Sequence, residues 1–240
     1  MTLNLGIIES ALQIVPREIQ SHPQIKTYAE RRNKKPEEVL LDRSFHHAAM
    51  QKLARKGYPH PVERMGRPDI VHNTLLQILE TPLNWENQLR VFVHTQDDYV
   101  VSINPKIRLP KNYLRFIGLI EQLFANGHVP EGGEPLMQIQ KNTVQHLVRS
   151  VQPSEVLGFS ILGQPMLMRK VAEHAAAMAN PLIFIGGFPR GHFTTKTKNA
   201  MDSTFKVDSE SLDAWVVAGR FVYDFEWAIG VAQHRVKAKE

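Results

Sequence analysis

Hydrophobic and polar positions change period several times along the chain, and each change marks an element. Leu3 to Ile8 is an apolar run of strand length, and Glu9 to Ile19 is expected to follow it as a helix. Residues 17 to 36 turn polar and basic, with Arg17, Lys26, Arg31, Arg32, Lys34 and Lys35 interrupted by Pro23 and Pro36; they read as surface loop and broken helix. VLLDRSFHHAAMQKLARK (39–56) predicts a helix through Ala48 to Arg55, capped by Asp42 or Ser44. GRPDIVHNTLLQIL (66–79) predicts another, with Asp69 as N-cap and Ile70, Leu75, Ile78 and Leu79 as its buried stripe.

Leu89 to His94 and Tyr99 to Ile103 alternate and are rich in valine, so the intervening Thr95 to Asp98 predicts a β-hairpin. NPKIRLPKNY is an irregular loop. Tyr113 to Phe124 reads as a helix with apolar Leu114, Phe116, Ile117, Ile120, Leu123 and Phe124, and Gly127 to Pro135 as a loop. The last third alternates strand and helix. Val156 to Ser160 is a strand, Pro165 to Ala179 a helix and Leu182 to Ile185 a buried strand. Lys206 to Val207 starts a short strand, and Ser211 to Gln233 is a long apolar helix. Such units predict an α/β fold whose parallel sheet is covered on both faces.

Composition narrows the chemistry. With no cysteine among 240 residues, disulfides, thiolate zinc sites and cysteine nucleophiles are excluded. No apolar run approaches the roughly 18 residues a membrane helix needs. The opening MTLNLGIIESALQIVP is interrupted by Glu9 and lacks a basic leader, so it is read as core rather than signal peptide. A net charge of +5 suits a polyanionic partner without specifying one.

Several stretches could carry chemistry. Gly186-Gly187-Phe188-Pro189-Arg190-Gly191 follows a buried strand, where ligands of open α/β sheets bind. It matches neither the dinucleotide fingerprint nor a P-loop, and a tight strand-exit turn is the plainer reading. Arg67-Pro68-Asp69 is either a salt-bridged helix cap or an oriented acid–base pair. Arg108, Lys111 and Arg115 recur at spacings of three and four; on a helical turn they would share a face, beside Tyr113 and Phe116, able to grip phosphates and stack on bases. The plainer reading is a solvated face. Adjacent His46 and His47 would point ~100° apart on a helix and would not converge on an ion. No metal site is expected, and no Gly-x-Ser-x-Gly elbow exists.

The order of these segments carries more than each alone. LDRSFHHAAM (41–50), GRPDIVHNTLL (66–76), INPKIRLPKNYLRFIGLIEQL (103–123), IFIGGFPRGHF (183–193) and LDAWVVAG (212–219) resemble, over nearly the whole chain, the ribosome-biogenesis family of pseudouridine N(1)-specific rRNA methyltransferases of the SPOUT class. The compact form and the GGFP sequence resemble its archaeal members. The resemblance implies one SPOUT methyltransferase domain over residues 1–240, with a basic loop and helix insertion at about 17–60 and a trefoil knot at about 156–233. The parallel sheet would carry helices on both faces, plus a family-specific β-hairpin and helical extension. It implies a cytoplasmic homodimer acting on small-subunit rRNA during ribosome biogenesis, with ribosomal assembly proteins as further partners and no membrane. S-adenosylmethionine would be the methyl donor, leaving S-adenosylhomocysteine.

By the same resemblance, donor contacts fall on Ser160, on Gly186, Gly187, Phe188, Gly191, His192 and Phe193, and on Val207, Asp208, Ser209, Glu210, Ser211 and Leu212. RNA contacts fall on Arg67, Asp69, Arg108, Lys111 and Arg115. Lys111 stands where many relatives have arginine, which keeps charge but loses a planar bidentate contact. VDSESL departs from the Tyr-Pro-Leu version of eukaryotic relatives. Asp69 is the candidate for accepting or orienting the proton of the target nitrogen, and Arg67 for stabilising charge on the base carbonyls. The alternatives are a non-catalytic rRNA-binding assembly factor and a SPOUT methyltransferase with another RNA target.

Overall fold

Eight strands build one sheet, in the order β4-β5-β3-β2-β1-β7-β6-β8. They are β1 (Leu3–Ser10), β2 (Leu89–Thr95), β3 (Tyr99–Ile103), β4 (His128–Val129), β5 (Met137–Lys141), β6 (Glu155–Pro165), β7 (Pro181–Gly186) and β8 (Ser203–Lys206). The computed structural model describes residues 1–55, 58 and 60–237. The half running β2-β1-β7-β6-β8 is parallel throughout, while β3, β5 and β4 add to it antiparallel. The expected parallel core is therefore present, and the hairpin begins an antiparallel extension.

Alternation along the central strands places a core on each face. Leu3, Leu5, Ile7, Ile183 and Ile185 pack with α3 (Pro68–Leu79), α5 (Tyr113–Asn126), α7 (Met168–Ala176) and α9 (Ala214–Ala228). Ile8, Leu182 and Phe184 face Val144 and Leu147 of α6 (Val144–Val151). Each fully buried aliphatic or aromatic side chain contributes roughly 1.5–3 kcal/mol against solvent exposure. A third core lies inside the basic region. Ile25 and Ala29 of α1 (Pro23–Arg31) pack with Ala49, Met50 and Leu53 of α2 (Arg43–Arg55), beside Val15 and Met65. Buried Glu121 of α5 fastens this region to the sheet layer. It pairs with Arg32 at 2.6 Å and Lys34 at 2.9 Å and accepts from the Leu40 N–H at 3.1 Å.

Several sequence expectations need correction. Glu9 to Ile19 is not a helix. Strand β1 continues to Ser10, Glu9 takes a left-handed φ of 53°, and the chain then runs extended to pair Ile14 with Leu40. Pro16 disfavours helical backbone at Val15, and only Arg17–Ile19 makes a short 3-10 turn. Asp69 is not the N-cap of α3; Arg67 occupies that position, with Pro68 opening the helix. The residue cap of α2 is Asp42, whose Oδ1 accepts from the Ser44 N–H at 2.7 Å; Lys56, in the same sequence stretch, lies outside the described residues. Leu114 is 55% exposed rather than part of the α5 stripe.

Arg108 and Lys111 lie in the irregular loop before α5 and only Arg115 is helical, so the three do not share one helix face. The strand expected to start at Lys206 instead ends there, as β8. The long C-terminal helix ends at Ala228, and α10 (Val231–Lys237) restarts after Gly230 with φ 78°. Helix α7 starts at Met168 because β6 runs to Pro165. This long β6 does something unusual against β8. Phe159 and Gln164 both lie opposite Phe205, so residues 160–163 loop out and rejoin the same neighbour. Gly163 permits it: a Cβ there would sit 2.7 Å from Phe205 backbone atoms.

Candidate active site

Three chain segments, the outward loop of β6 and the stretches beyond the carboxyl ends of β7 and β8, meet and enclose a cavity of 340 Å³. That lies in the range of small-molecule sites, and it is where an open parallel sheet places its ligands. The first wall is the β6 outward loop, Phe159 to Ile161. The second is the turn after β7, with Gly186, Phe188, Gly191, His192 and Phe193. The third follows β8, with Val207, Asp208, Glu210, Ser211 and Leu212, and continues into Asp213, Ala214 and Trp215 at the start of α9. Arg67 and Ile70 of the α3 entrance close one side.

Local chemistry shapes each wall. Ser160 folds back, its Oγ accepting from the Leu162 N–H at 3.2 Å. Asp208 Oδ1 accepts from the Glu210 N–H at 3.1 Å, a side-chain turn that bends the third wall. Gly191 has φ 87°, a conformation L side chains rarely take. Phe188 and Phe193 stack edge to face at 5.5 Å and give the second wall a small core of its own.

Two of the predicted donor contacts lie outside this lining. Gly187 has turned toward β1: a Cβ would lie 2.2 Å from Ser10 Oγ, and its N–H and C=O bond to Ile8 O and Ala11 N. Its role is close packing of the turn on the sheet. Ser209 points outward, and its hydroxyl contacts Asp208 Oδ1 at 3.4 Å. Residues the sequence reading passed over include Asp213 and Trp215, which line the cavity. So does the support behind the second wall, where buried Glu9 accepts from Thr194 and Arg64. A charge inside the apolar run IIESAL was the available signal for Glu9.

At the rim, Arg67 holds Asp69 through both carboxylate oxygens. That bonding raises the guanidinium pKa against an opposing effect of burial. Beside the pair, the Tyr113 hydroxyl donates to buried Asp42, and burial followed by this bond pushes its pKa up. The basic loop is held from below. His72 Nε2 donates to Pro110 O at 2.8 Å, which fixes the proton on Nε2, and its ring stacks on Phe116. Leu109 is buried, leaving Arg108 and Lys111 exposed on either side. Lys111 lies 3.7 Å from Glu80, and Arg115 sits in the first turn of α5. Thus Arg67, Asp69, Arg108, Lys111 and Arg115 lie along the entrances of two packed helices. His46 is buried, its Nδ1 accepting from the Asp42 N–H at 3.0 Å, while His47 is exposed and contacts Gln51. Among the described residues no group of three His, Cys, Asp or Glu could hold a metal ion, and no helix is long and apolar enough to cross a membrane.

Fold and cavity together define an α/β enzyme with a small-molecule site at its strand ends and cations beside it. The chain belongs to the EMG1/NEP1 methyltransferase family, whose family model matches residues 7–226. It is 42% identical over 228 residues to the ribosomal RNA small subunit methyltransferase Nep1 of Thermococcus onnurineus, covering 95% of this chain and 100% of that protein. It is 40% identical to Nep1 of Pyrococcus furiosus, covering 95% and 97%. Its structure is similar to the crystal structure of Archaeoglobus fulgidus Nep1 bound to S-adenosylhomocysteine, with a TM-score of 0.82, 31% identity, and 95% and 99% of the two chains covered.

Proposed function

We propose that this protein transfers a methyl group from S-adenosylmethionine to small-subunit ribosomal RNA, and that the acceptor is nitrogen 1 of a pseudouridine. The observation that carries the reading is the three-walled cavity with Arg67 and Asp69 at its rim. The family and its rRNA methyltransferases support the reaction class. A relative solved with S-adenosylhomocysteine supports the donor.

The residues present fit that donor. The cavity volume suits it, and Asp208, Glu210 and Asp213 offer carboxylates to a cationic ligand. Gly186 keeps the floor open, since a Cβ there would press on the Phe188 ring at 2.9 Å. S-adenosylmethionine brings an already activated sulfonium methyl, so the protein has chiefly to align and to manage one proton. Arg67 faces the cavity and can stabilise charge on the base carbonyls as nitrogen 1 loses its proton. Asp69 orients Arg67, and its lone pairs away from the guanidinium are the acceptors for that proton. A base has to leave its stack to reach the cavity. Arg108, Lys111 and Arg115 would hold the flanking phosphates.

The outward loop 160–163 returning to Phe205 supports the trefoil knot that the resemblance implies. A homodimer is supported by large apolar side chains left in solvent at the end of β6 and along α9: Ile161, Leu162, Leu167, Tyr223 and Trp227. We place the reaction in the cytoplasm.

Titration with S-adenosylhomocysteine, followed by transfer of labelled methyl to small-subunit RNA, tests the reading. Donor binding with transfer supports it. RNA binding without any donor binding replaces it with the assembly-factor reading.

A further inference from the structure

The methyl-transfer chemistry makes no use of the most deeply buried ion pair beside the site. Glu9 is 4% exposed and sits one residue before the end of β1 with left-handed backbone, a strained conformation for a residue other than glycine. Its Oε1 accepts from the Thr194 N–H at 2.9 Å and the Thr194 hydroxyl at 2.7 Å. Its Oε2 accepts from Arg64 Nη2 at 2.7 Å. Arg64 continues outward: Nη1 donates to the His192 carbonyl at 2.8 Å, and its guanidinium lies 4.0 Å over the Phe188 ring. One carboxylate thus joins β1, the turn at Val62–Arg64 and the wall that runs from Phe188 to Thr194.

Burying a carboxylate and a guanidinium is costly unless both are fully satisfied, and an apolar pair would hold the same volume more cheaply. What an apolar pair lacks is direction. The two groups fix a backbone N–H at Thr194, a backbone carbonyl at His192 and a ring plane at Phe188, spanning the one stretch where Gly191 lets the chain bend. Phe188 and His192 line the cavity, whereas Glu9 and Arg64 stand behind them.

We propose that Glu9 and Arg64 are positioning residues for the second wall: they hold Phe188 to Thr194 in the shape that receives the methyl donor, without touching donor or RNA. The proposal rests on the reading of this cavity as the donor site.

The test is full-length protein carrying Glu9→Gln, Arg64→Lys or both. It combines calorimetry with S-adenosylhomocysteine, steady-state KM for each substrate, and amide hydrogen exchange. Each single variant is expected to weaken donor binding by about tenfold to a hundredfold, the range for losing charge-assisted hydrogen bonds. RNA KM should stay within about twofold, and faster exchange should be confined to residues 188–194. The double variant should be little worse than either single one, because the pair acts as a unit. Unchanged donor affinity in both single variants overturns the proposal. So does an equal loss of donor and RNA binding with faster exchange throughout, which marks a merely structural pair. Wild-type protein that binds no S-adenosylhomocysteine overturns the donor reading and this proposal together. Arg64→Lys keeps the charge and removes only the fork and the ring contact, so it decides the matter if Glu9→Gln does not fold.

Discussion

Arg67 and Asp69 form a two-pronged clasp across a single proline, Nε to Oδ1 at 2.8 Å and Nη2 to Oδ2 at 2.7 Å, at the first turn of α3. Both side chains are 35% exposed, so the clasp contributes less than about 1 kcal/mol to folding. Its cost to catalysis should be larger. Asp69→Asn removes one acceptor and sets an amide against the guanidinium. Methyl transfer at saturating RNA is expected to fall at least tenfold, with S-adenosylhomocysteine affinity within about twofold of wild type. Full-rate transfer by a variant that binds RNA normally would remove Asp69 from the proton step.

The basic loop makes a separate prediction, read in salt. Arg108 is exposed beside buried Leu109, and Arg115 is exposed in the first turn of α5. If each meets a phosphate, Arg108→Ala and Arg115→Ala should each lower the slope of log affinity against log salt by about 0.7, the value for single strands. Donor affinity should not change. Lys111→Ala should have a smaller effect, because Glu80 already lies 3.7 Å from its ammonium. Filter binding at several salt concentrations measures all three.

How much of this was legible in the sequence depended on the range of the determining contacts. The α3 stripe Ile70, Leu75, Ile78 and Leu79 follows from the 3.6-residue period, because one face of that helix meets one core. The hairpin of β2 and β3 follows from local alternation. Residues 9–19 did not yield to the same logic: their partners are Val39 to Leu41, the turn at Arg67 and the turn at Gly187, all distant in sequence. Strand β5, MQIQK, was missed because its exposed face is polar and it has few apolar positions to alternate. In the site, Gly186 and Gly187 are indistinguishable as letters. One keeps a cavity open and the other packs on Ser10, a distinction that only the placement of β1 makes. Glu9 and Arg64 meet across 55 positions, which no local pattern encodes.

Acid should weaken the fold through His46. Burial lowers its pKa from 6.5 to about 4, against the opposing pull of the Asp42 and Glu121 carboxylates. Between these values the unfolded chain binds the proton and the folded chain does not, so stability rises with pH across that window. The contribution is intact above about 6.5 and lost as pH falls through about 4, on the order of 3 kcal/mol in all. Urea unfolding at pH 7 and pH 4.5 should show a larger fall for wild type than for His46→Asn, which keeps an acceptor for the Asp42 N–H. Equal falls would contradict the assignment.

Leu167, 74% exposed just before α7, tests the dimer. Leu167→Glu places a charge in the apolar surface that the homodimer reading covers. Wild-type protein should sediment as a dimer and the variant should dissociate to monomers at micromolar concentration. A wild-type monomer would contradict the reading, as would an unaffected variant dimer.

The central claim is tested most directly by methyl transfer from labelled S-adenosylmethionine to a short rRNA hairpin carrying one pseudouridine, beside the same hairpin carrying uridine. The account predicts label in the pseudouridine hairpin only, with the methyl on nitrogen 1. Equal labelling of both hairpins would contradict the target. No labelling of either, by protein that binds both hairpins and no donor, would contradict the enzyme.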